Sequence, residues 1–225
     1  MALSIAIVGD GSVGKSSLIN SIIANEFEKV YRQTIGCDFY EKSLELRLGQ
    51  RWSLRIFDIG GQSIASQNLG YYLSSVDAVL CMYDLCNRES FENTGDWVSA
   101  VRKHCVKPNV SIYLVGNKVD QYDQRQVAAP QHEARIVEYR LSGGFFTSAK
   151  TGDSVMKQLV RVCGETLGLD LTEAELSCYD RVVAAHIQTG DGEGRTLMAD
   201  AIEAEDRAIE ERKRHDNNGC QCSLS

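Results

Sequence analysis

Gly9-Asp10-Gly11-Ser12-Val13-Gly14-Lys15-Ser16 follows the apolar run Leu3 to Val8 and has the residue types and spacing of a phosphate-binding loop. Glycines let successive backbone N–H groups curl around phosphate oxygens with no side chain in the way. Lys15 has the reach for the β and γ phosphates of a nucleotide, and Ser16 offers a hydroxyl to Mg²⁺. Ser12, Val13 and Ser17 complete the cradle with Gly11 and Gly14. A helix expected over Lys15–Ala24 aims its positive end at the same phosphates.

Four further groups carry chemistry. Asn117-Lys118-Val119-Asp120 ends an apolar strand, and its carboxylate suits the N1–H and N2 amine of guanine, a donor pair that adenine lacks. The Asn117 amide either contacts the base or ties this loop to the phosphate loop. Thr147-Ser148-Ala149-Lys150 ends the last strand. There the Ala149 N–H faces guanine O6, and the stems of Lys118 and Lys150 pack on the base faces. Polar turns after strands use the same residue types, so neither group is decisive alone. Asp58-Ile59-Gly60-Gly61-Gln62 offers a carboxylate for a Mg²⁺-bound water, a Gly61 N–H for the γ-phosphate and Gln62 to orient an attacking water. Thr34, in Thr34-Ile35-Gly36, completes the Mg²⁺ ligands (Ser16, Thr34, Asp58) only while a γ-phosphate is present.

Strands must position these loops. Apolar, β-branched runs predict them over Leu3–Val8, Phe39–Leu48, Arg51–Phe57, Ala78–Tyr83, Val110–Val115 and Gly144–Thr147. Leu44, Leu46 and Leu48 alternate with charged residues, Gly49-Gln50 turns, and Trp52, Leu54 and Ile56 alternate again, which predicts a hairpin. Helices are expected over Lys15–Ala24, Arg88–Lys103, Gln131–Leu141 (after Pro130) and Val155–Leu167. Such alternation implies an α/β fold with a mostly parallel sheet covered on both faces and ligands at the strands' carboxyl ends.

The 225 residues suit one domain with an extension, and a formal net charge of −7 argues against nucleic acid as the main partner. The eight cysteines lack zinc-ligand spacing and read as free thiols of a reducing cytosol. No signal peptide or transmembrane span is expected, so membrane contact requires a modification. From about Asp170 the strand-like runs stop. Helical pieces are plausible over Leu171–Ile187 and Met198–Arg214, in a tail (169–225) that is otherwise extended or disordered.

Taken together and in this order, residues 1–168 resemble the Ras-like small GTPases, and within them the Rab family. Tyr31-x-x-Thr34-Ile35-Gly36-x-Asp38-Phe39 resembles a Rab first switch, and Tyr71-Tyr72 falls where Rabs carry a Tyr pair. The resemblance implies a three-layer phosphate-loop NTPase fold with a six-stranded sheet, GTP/GDP and Mg²⁺ as ligands, and a monomer that hydrolyses GTP slowly. It implies that Phe27 stacks edge-on against the base, that Tyr31 closes over the phosphates and that Gln62 is catalytic. Glycine at 11 leaves room for Gln62 and for an activator's arginine. Phe39, Phe57 and Tyr72 occupy the positions of an effector-facing aromatic triad, which buried sheet packing also explains. Implied partners are a GTPase-activating protein, a guanine nucleotide exchange factor, effectors at both switches and a prenyltransferase.

The chain also departs from the family. Rabs usually read Trp-Asp-Thr-Ala-Gly-Gln-Glu in the second switch, and this chain reads Phe57-Asp58-Ile59-Gly60-Gly61-Gln62-Ser63. That variant and the tail resemble a divergent branch, numbered twenty-eight. The end, Cys222-Ser223-Leu224-Ser225, matches a prenylation box whose terminal Ser favours farnesyl. Cys220 leaves open geranylgeranylation of two cysteines, or palmitoylation. The expected location is the cytosolic face of a membrane, with endosomal or ciliary traffic implied by the branch. Two readings remain: a membrane-associated GTPase switch in vesicle traffic, and a non-hydrolysing GTP-binding recruitment module.

Overall fold

The computed structural model describes residues 2–24, 34–47, 50–108 and 110–179. Six strands form one sheet in the order β2-β3-β1-β4-β5-β6. They are β1 (Ala2–Val8), β2 (Cys37–Arg47), β3 (Gln50–Ile59), β4 (Ala78–Asp84), β5 (Ser111–Asn117) and β6 (Gly143–Phe146). Among the described strands only β2 runs antiparallel, paired with β3, so the sheet is mostly parallel as the strand–helix alternation implies. The β2–β3 hairpin is present, with its turn residues 48 and 49 outside the described set.

Both faces are buried along β1, β4 and β5, which explains their nearly continuous apolar sequences, while β2 and β3 alternate buried with exposed residues. Along β1, Leu3, Ile5 and Ile7 point to one face, with Leu18, Ile19 and Ile22 of α1 (Lys15–Ala24) and Leu159 and Val162 of α6 (Val155–Thr166). Ala6 and Val8 point to the other. There they meet Leu69 and Leu73 of α2 (Leu69–Leu73), and Trp97, Val98 and Val101 of α4 (Thr94–His104). α5 (Ala129–Glu138) lies along β5 and β6, with Ile136 packed on a third cluster around Tyr83 and Leu114.

The helix expected over Arg88–Lys103 is two: α3 (Arg88–Glu92) and α4, separated at Asn93. Thr94 Oγ1 donates back to the Phe91 carbonyl at 2.6 Å, a contact that bends helices. The Asn93 side chain is drawn sideways to Asp10, its Nδ2 donating to Oδ2 at 2.7 Å. α5 begins two residues before the expected start, with Pro130 inside its first turn. Sequence periodicity misses α2 and the 3₁₀ turn Gly61–Ala65, each five residues long and too short to show a period.

Packing continues past Gly168. Residues 173–179 form a further helix, α7, on which Leu176 is 2% exposed against the main core. Thr172 caps it: the Glu175 N–H donates to Thr172 Oγ1 at 3.3 Å, and Glu175 Oε2 accepts from the Thr172 N–H at 2.8 Å. Glu173 pairs with Lys157 and Arg161 of α6, and the Tyr179 hydroxyl donates to the Glu45 carbonyl of β2. The expected helix Leu171–Ile187 is thus seen from 173 to 179; its remainder and the second tail helix lie outside the described residues.

Candidate nucleotide site

The phosphate loop joins the carboxyl end of central strand β1 to α1. Ser12 has φ 65° and Gly14 φ 98°, left-handed conformations that turn successive N–H groups inward. At Gly14 a Cβ would also lie 2.3 Å from Asn117 Nδ2, so glycine is required there twice over. Ser12 and Gly11 are exposed, Ser17 is half-buried, and Val13 is buried beneath the loop.

Lys15 is 6% exposed, and its Nζ donates to the carbonyls of Gly9 at 2.8 Å and Asp10 at 2.7 Å. Burial lowers its pKa to about 8, while the nearby carboxylates of Asp58 and Asp10 act the other way. A buried ammonium whose hydrogen bonds go to neutral carbonyls gains from an anionic oxygen brought beside it. The Asp10 carboxylate is turned away from the loop's mouth, accepting from Trp97 Nε1 at 2.9 Å and from Asn93.

Three hydroxyl and carboxylate groups meet beside Lys15. Ser16 Oγ donates to Asp58 Oδ2 at 2.5 Å and lies 3.0 Å from Thr34 Oγ1, which is 3.5 Å from the same carboxylate oxygen. They come from α1, β3 and the segment before β2. The antiparallel pairing of Cys37 with Ile59 places that last segment at the same sheet edge. Asp58 is fully buried, and burial raises its pKa despite the Ser16 hydrogen bond and Lys15 charge. Its Oδ1 has no hydrogen-bond partner among the described residues. An orphaned, buried carboxylate oxygen among hard oxygen donors fits a Mg²⁺ ion.

Asn117 is 1% exposed and links three loops: its Nδ2 donates to the Val13 carbonyl at 2.8 Å, and its Oδ1 accepts at 3.0 Å from the Ala149 N–H, the donor expected to face guanine O6. Of the two roles open to it, the structure displays the tie to the phosphate loop. Ser148, fully buried, donates through Oγ to Asp120 Oδ1 at 2.6 Å. Lys150 lies 3.9 Å from Asp120 Oδ2. Lys118 has φ 67°, and its Nζ pairs with Asp84 Oδ2 at 2.7 Å. Sequence reasoning missed Asp84, although an aspartate ending the apolar run of β4, in register with Asn117, was the available signal.

Gly61 packs on the phosphate loop so closely that a Cβ there would sit 2.3 Å from the Gly11 nitrogen. Gln62 follows it, exposed, at the start of the 3₁₀ turn. Phe39 and Phe57 are cross-strand partners in an edge-on contact at 5.5 Å, with Phe39 54% exposed. Tyr72 is half-buried against the second cluster, while Tyr71 and Ile35 are exposed. Phe27, Tyr31, Cys220 and Cys222 lie outside the described residues. The six described cysteines are free thiols, and no described helix is long and apolar enough to cross a membrane.

A loop of the phosphate-binding type, the Ser16–Thr34–Asp58 cluster and the Asn117–Asp120–Ser148 cluster gather at the carboxyl edge of one sheet, the arrangement of the phosphate-loop nucleotide-binding class. The family model described as Ras family matches residues 4–167. Ras-related protein Rab-28 of Caenorhabditis elegans is 33% identical over 187 residues, covering 82% of this chain and 75% of that protein. Ras-related protein rab-39 of Caenorhabditis elegans is 38% identical over 153 residues, 66% of each chain. The chain belongs to the Rab family of Ras-related small GTPases, enzymes that hydrolyse GTP to GDP and phosphate.

Proposed function

We propose that this GTPase is a Mg²⁺-dependent switch, attached to the cytosolic face of a membrane through Cys222, that serves vesicle or endosomal traffic. The observation that carries the magnesium dependence is the buried Asp58 carboxylate, hydrogen-bonded by Ser16 and near Thr34, with Oδ1 unpartnered among the described residues. Ser16, Thr34 and Asp58, directly or through water, would hold the ion. When bound, Mg²⁺ supplies positive charge against the β and γ phosphate oxygens.

The chain's own groups do the rest. The loop N–H groups and Lys15 bind the phosphates, and the low dielectric around Lys15 strengthens that attraction. Asp120, oriented by Ser148, reads the guanine edge. The Gly61 N–H senses the γ-phosphate, and Gln62 orients the attacking water. Slow chemistry follows from positioning without a strong acid or base, on the order of 10⁻⁴ s⁻¹ unaided for such enzymes and roughly 10⁵-fold faster with a partner's arginine. Loss of the γ-phosphate removes the contacts that hold Thr34 and Gly61, so both loops change together. Exposed Ile35 and Phe39, with exposed Tyr71 on α2 just after the second loop, suit a partner that reads the nucleotide state.

One lipid gives weak, reversible membrane binding, so Cys220 is proposed as a second attachment point. Exchange factor, activating protein, effectors and prenyltransferase are the partners this cycle requires. Competition binding tests the nucleotide reading: GTP and GDP should compete with a fluorescent guanine nucleotide, and ATP should not. Removing Mg²⁺ should speed nucleotide release, and mass spectrometry of the cell-expressed C-terminus should find a prenyl group on Cys222. Equal competition by ATP, or an unmodified Cys222, would contradict the corresponding part.

A further inference from the structure

The two switch loops touch each other directly, at a place where this chain departs from its family. The Gly60 N–H donates to the Gly36 carbonyl at 2.9 Å, extending the β2–β3 ladder beyond its last pair, Cys37 with Ile59. Ser63 Oγ donates to that same carbonyl at 3.2 Å and is 7% exposed. A Cβ at position 60 would lie 2.3 Å from the Thr34 carbonyl oxygen and 3.4 Å from the Gly36 oxygen. The backbone at 60 is ordinary, with φ −57° and ψ 138°, so glycine is needed there for space and not for conformation. Rabs usually carry alanine at this position and glutamate in place of Ser63. The alanine methyl would push the Thr34 backbone away, and glutamate has no hydroxyl to give.

We propose that Gly60 and Ser63 are positioning residues that fasten the Thr34–Gly36 backbone to the second switch loop, so that the protein itself presents the Thr34 hydroxyl to the cation corner. Here the junction supplies part of the ordering beforehand, and Thr34 Oγ1 already lies 3.0 Å from Ser16 Oγ. The metal then loses less to ordering the loop, and its apparent affinity rises by the fraction of time the loop is in place. The inference rests on the magnesium reading above and adds which residues set the strength of that requirement.

The test uses the full chain loaded with fluorescent GTP. It measures nucleotide release against Mg²⁺ concentration, and backbone hydrogen exchange over residues 34–37. Gly60→Ala should raise the half-saturating Mg²⁺ concentration about tenfold and speed exchange at 34–37, leaving release at saturating Mg²⁺ within about twofold of the parent. Ser63→Ala removes one hydrogen bond without adding bulk, and should raise that concentration about 2- to 10-fold. Ser63→Thr, which keeps the hydroxyl, should restore the parent value. Parent-like Mg²⁺ dependence and exchange in both Gly60→Ala and Ser63→Ala would overturn the proposal. Ser63→Ala alone decides it should Gly60→Ala fail to fold. A parent whose release ignores Mg²⁺ would overturn the magnesium reading instead, and exchange at 34–37 would still decide the junction.

Discussion

Trp97 Nε1 donates to Asp10 Oδ1 at 2.9 Å, fixing the phosphate loop to α4 across 87 residues of sequence. Trp97 is 1% exposed, and the second oxygen of Asp10 accepts from Asn93. A carboxylate in a phosphate loop repels the ligand if it points inward. These two donors hold it outward and satisfy it.

Asp10→Ala leaves the indole N–H and the Asn93 amide without their acceptor. An unsatisfied donor on buried Trp97 costs about 1–3 kcal/mol, while half-buried Asn93 can turn to water, so the urea midpoint should fall with an unchanged slope. The tryptophan emission should change before unfolding as well. An unchanged midpoint would mean that the loop does not depend on this anchor.

Asp120→Asn replaces the proposed acceptor for the guanine N1–H and N2 amine with an amide. Preference should shift from guanine toward xanthine nucleotides in competition binding. Ser148→Ala keeps the carboxylate and removes its 2.6 Å partner. A hydrogen bond to a charged group contributes about 1.5–3 kcal/mol, so GTP affinity should fall roughly tenfold or more with guanine selectivity retained. Unaltered selectivity in Asp120→Asn would remove the base-reading role.

His132 is buried, with Nδ1 2.9 Å from the Tyr83 hydroxyl and Nε2 unpartnered among the described residues. Burial lowers its pKa to about 4 from the ordinary 6.5. The unfolded chain takes up this proton first. The stability tied to neutral His132 is therefore complete above pH 6.5 and is lost as pH falls toward 4, up to about 3 kcal/mol in all. Urea midpoints at pH 7 and 4.5 should differ more for the parent than for His132→Asn. Equal differences would assign the acid sensitivity to other groups.

Leu176 lies 2% exposed on α7, outside the segment that the family model matches. Leu176→Ala should cost about 2–5 kcal/mol, and a chain ending at Gly168 should lose at least as much. Chemical unfolding measures both. No loss in either would show that α7 contributes nothing to the fold.

Legibility in the sequence followed the range of each interaction. Strand runs and the Lys15–Ala24 helix are local patterns, and they appear where expected. The phosphate loop, Asn117 to Asp120 and Thr147 to Lys150 are short motifs at strand ends, legible because the sheet imposes that placement. The break at Asn93 was not, since it depends on Asp10, 83 residues away. Nor was the junction of Gly60 with Thr34 and Gly36. A glycine reads as backbone freedom in sequence, and only the approach of a distant carbonyl shows that it marks missing volume. The packing of α7 was hidden for the opposite reason. Its capping residues Thr172 and Glu175 are a local signal, but they stand in a charged stretch whose single buried leucine gives no period.

Single-turnover hydrolysis of GTP by the full chain, with Mg²⁺ and with a chelator, tests the central claim most directly. The parent should convert bound GTP to GDP slowly, on the order of 10⁻⁴ s⁻¹ with Mg²⁺ and much more slowly without it. Gln62→Leu should bind GTP as the parent does and turn it over at a lower rate. Equal rates in the parent and Gln62→Leu, or a parent indifferent to Mg²⁺, would contradict a magnesium-dependent switch that acts through Gln62.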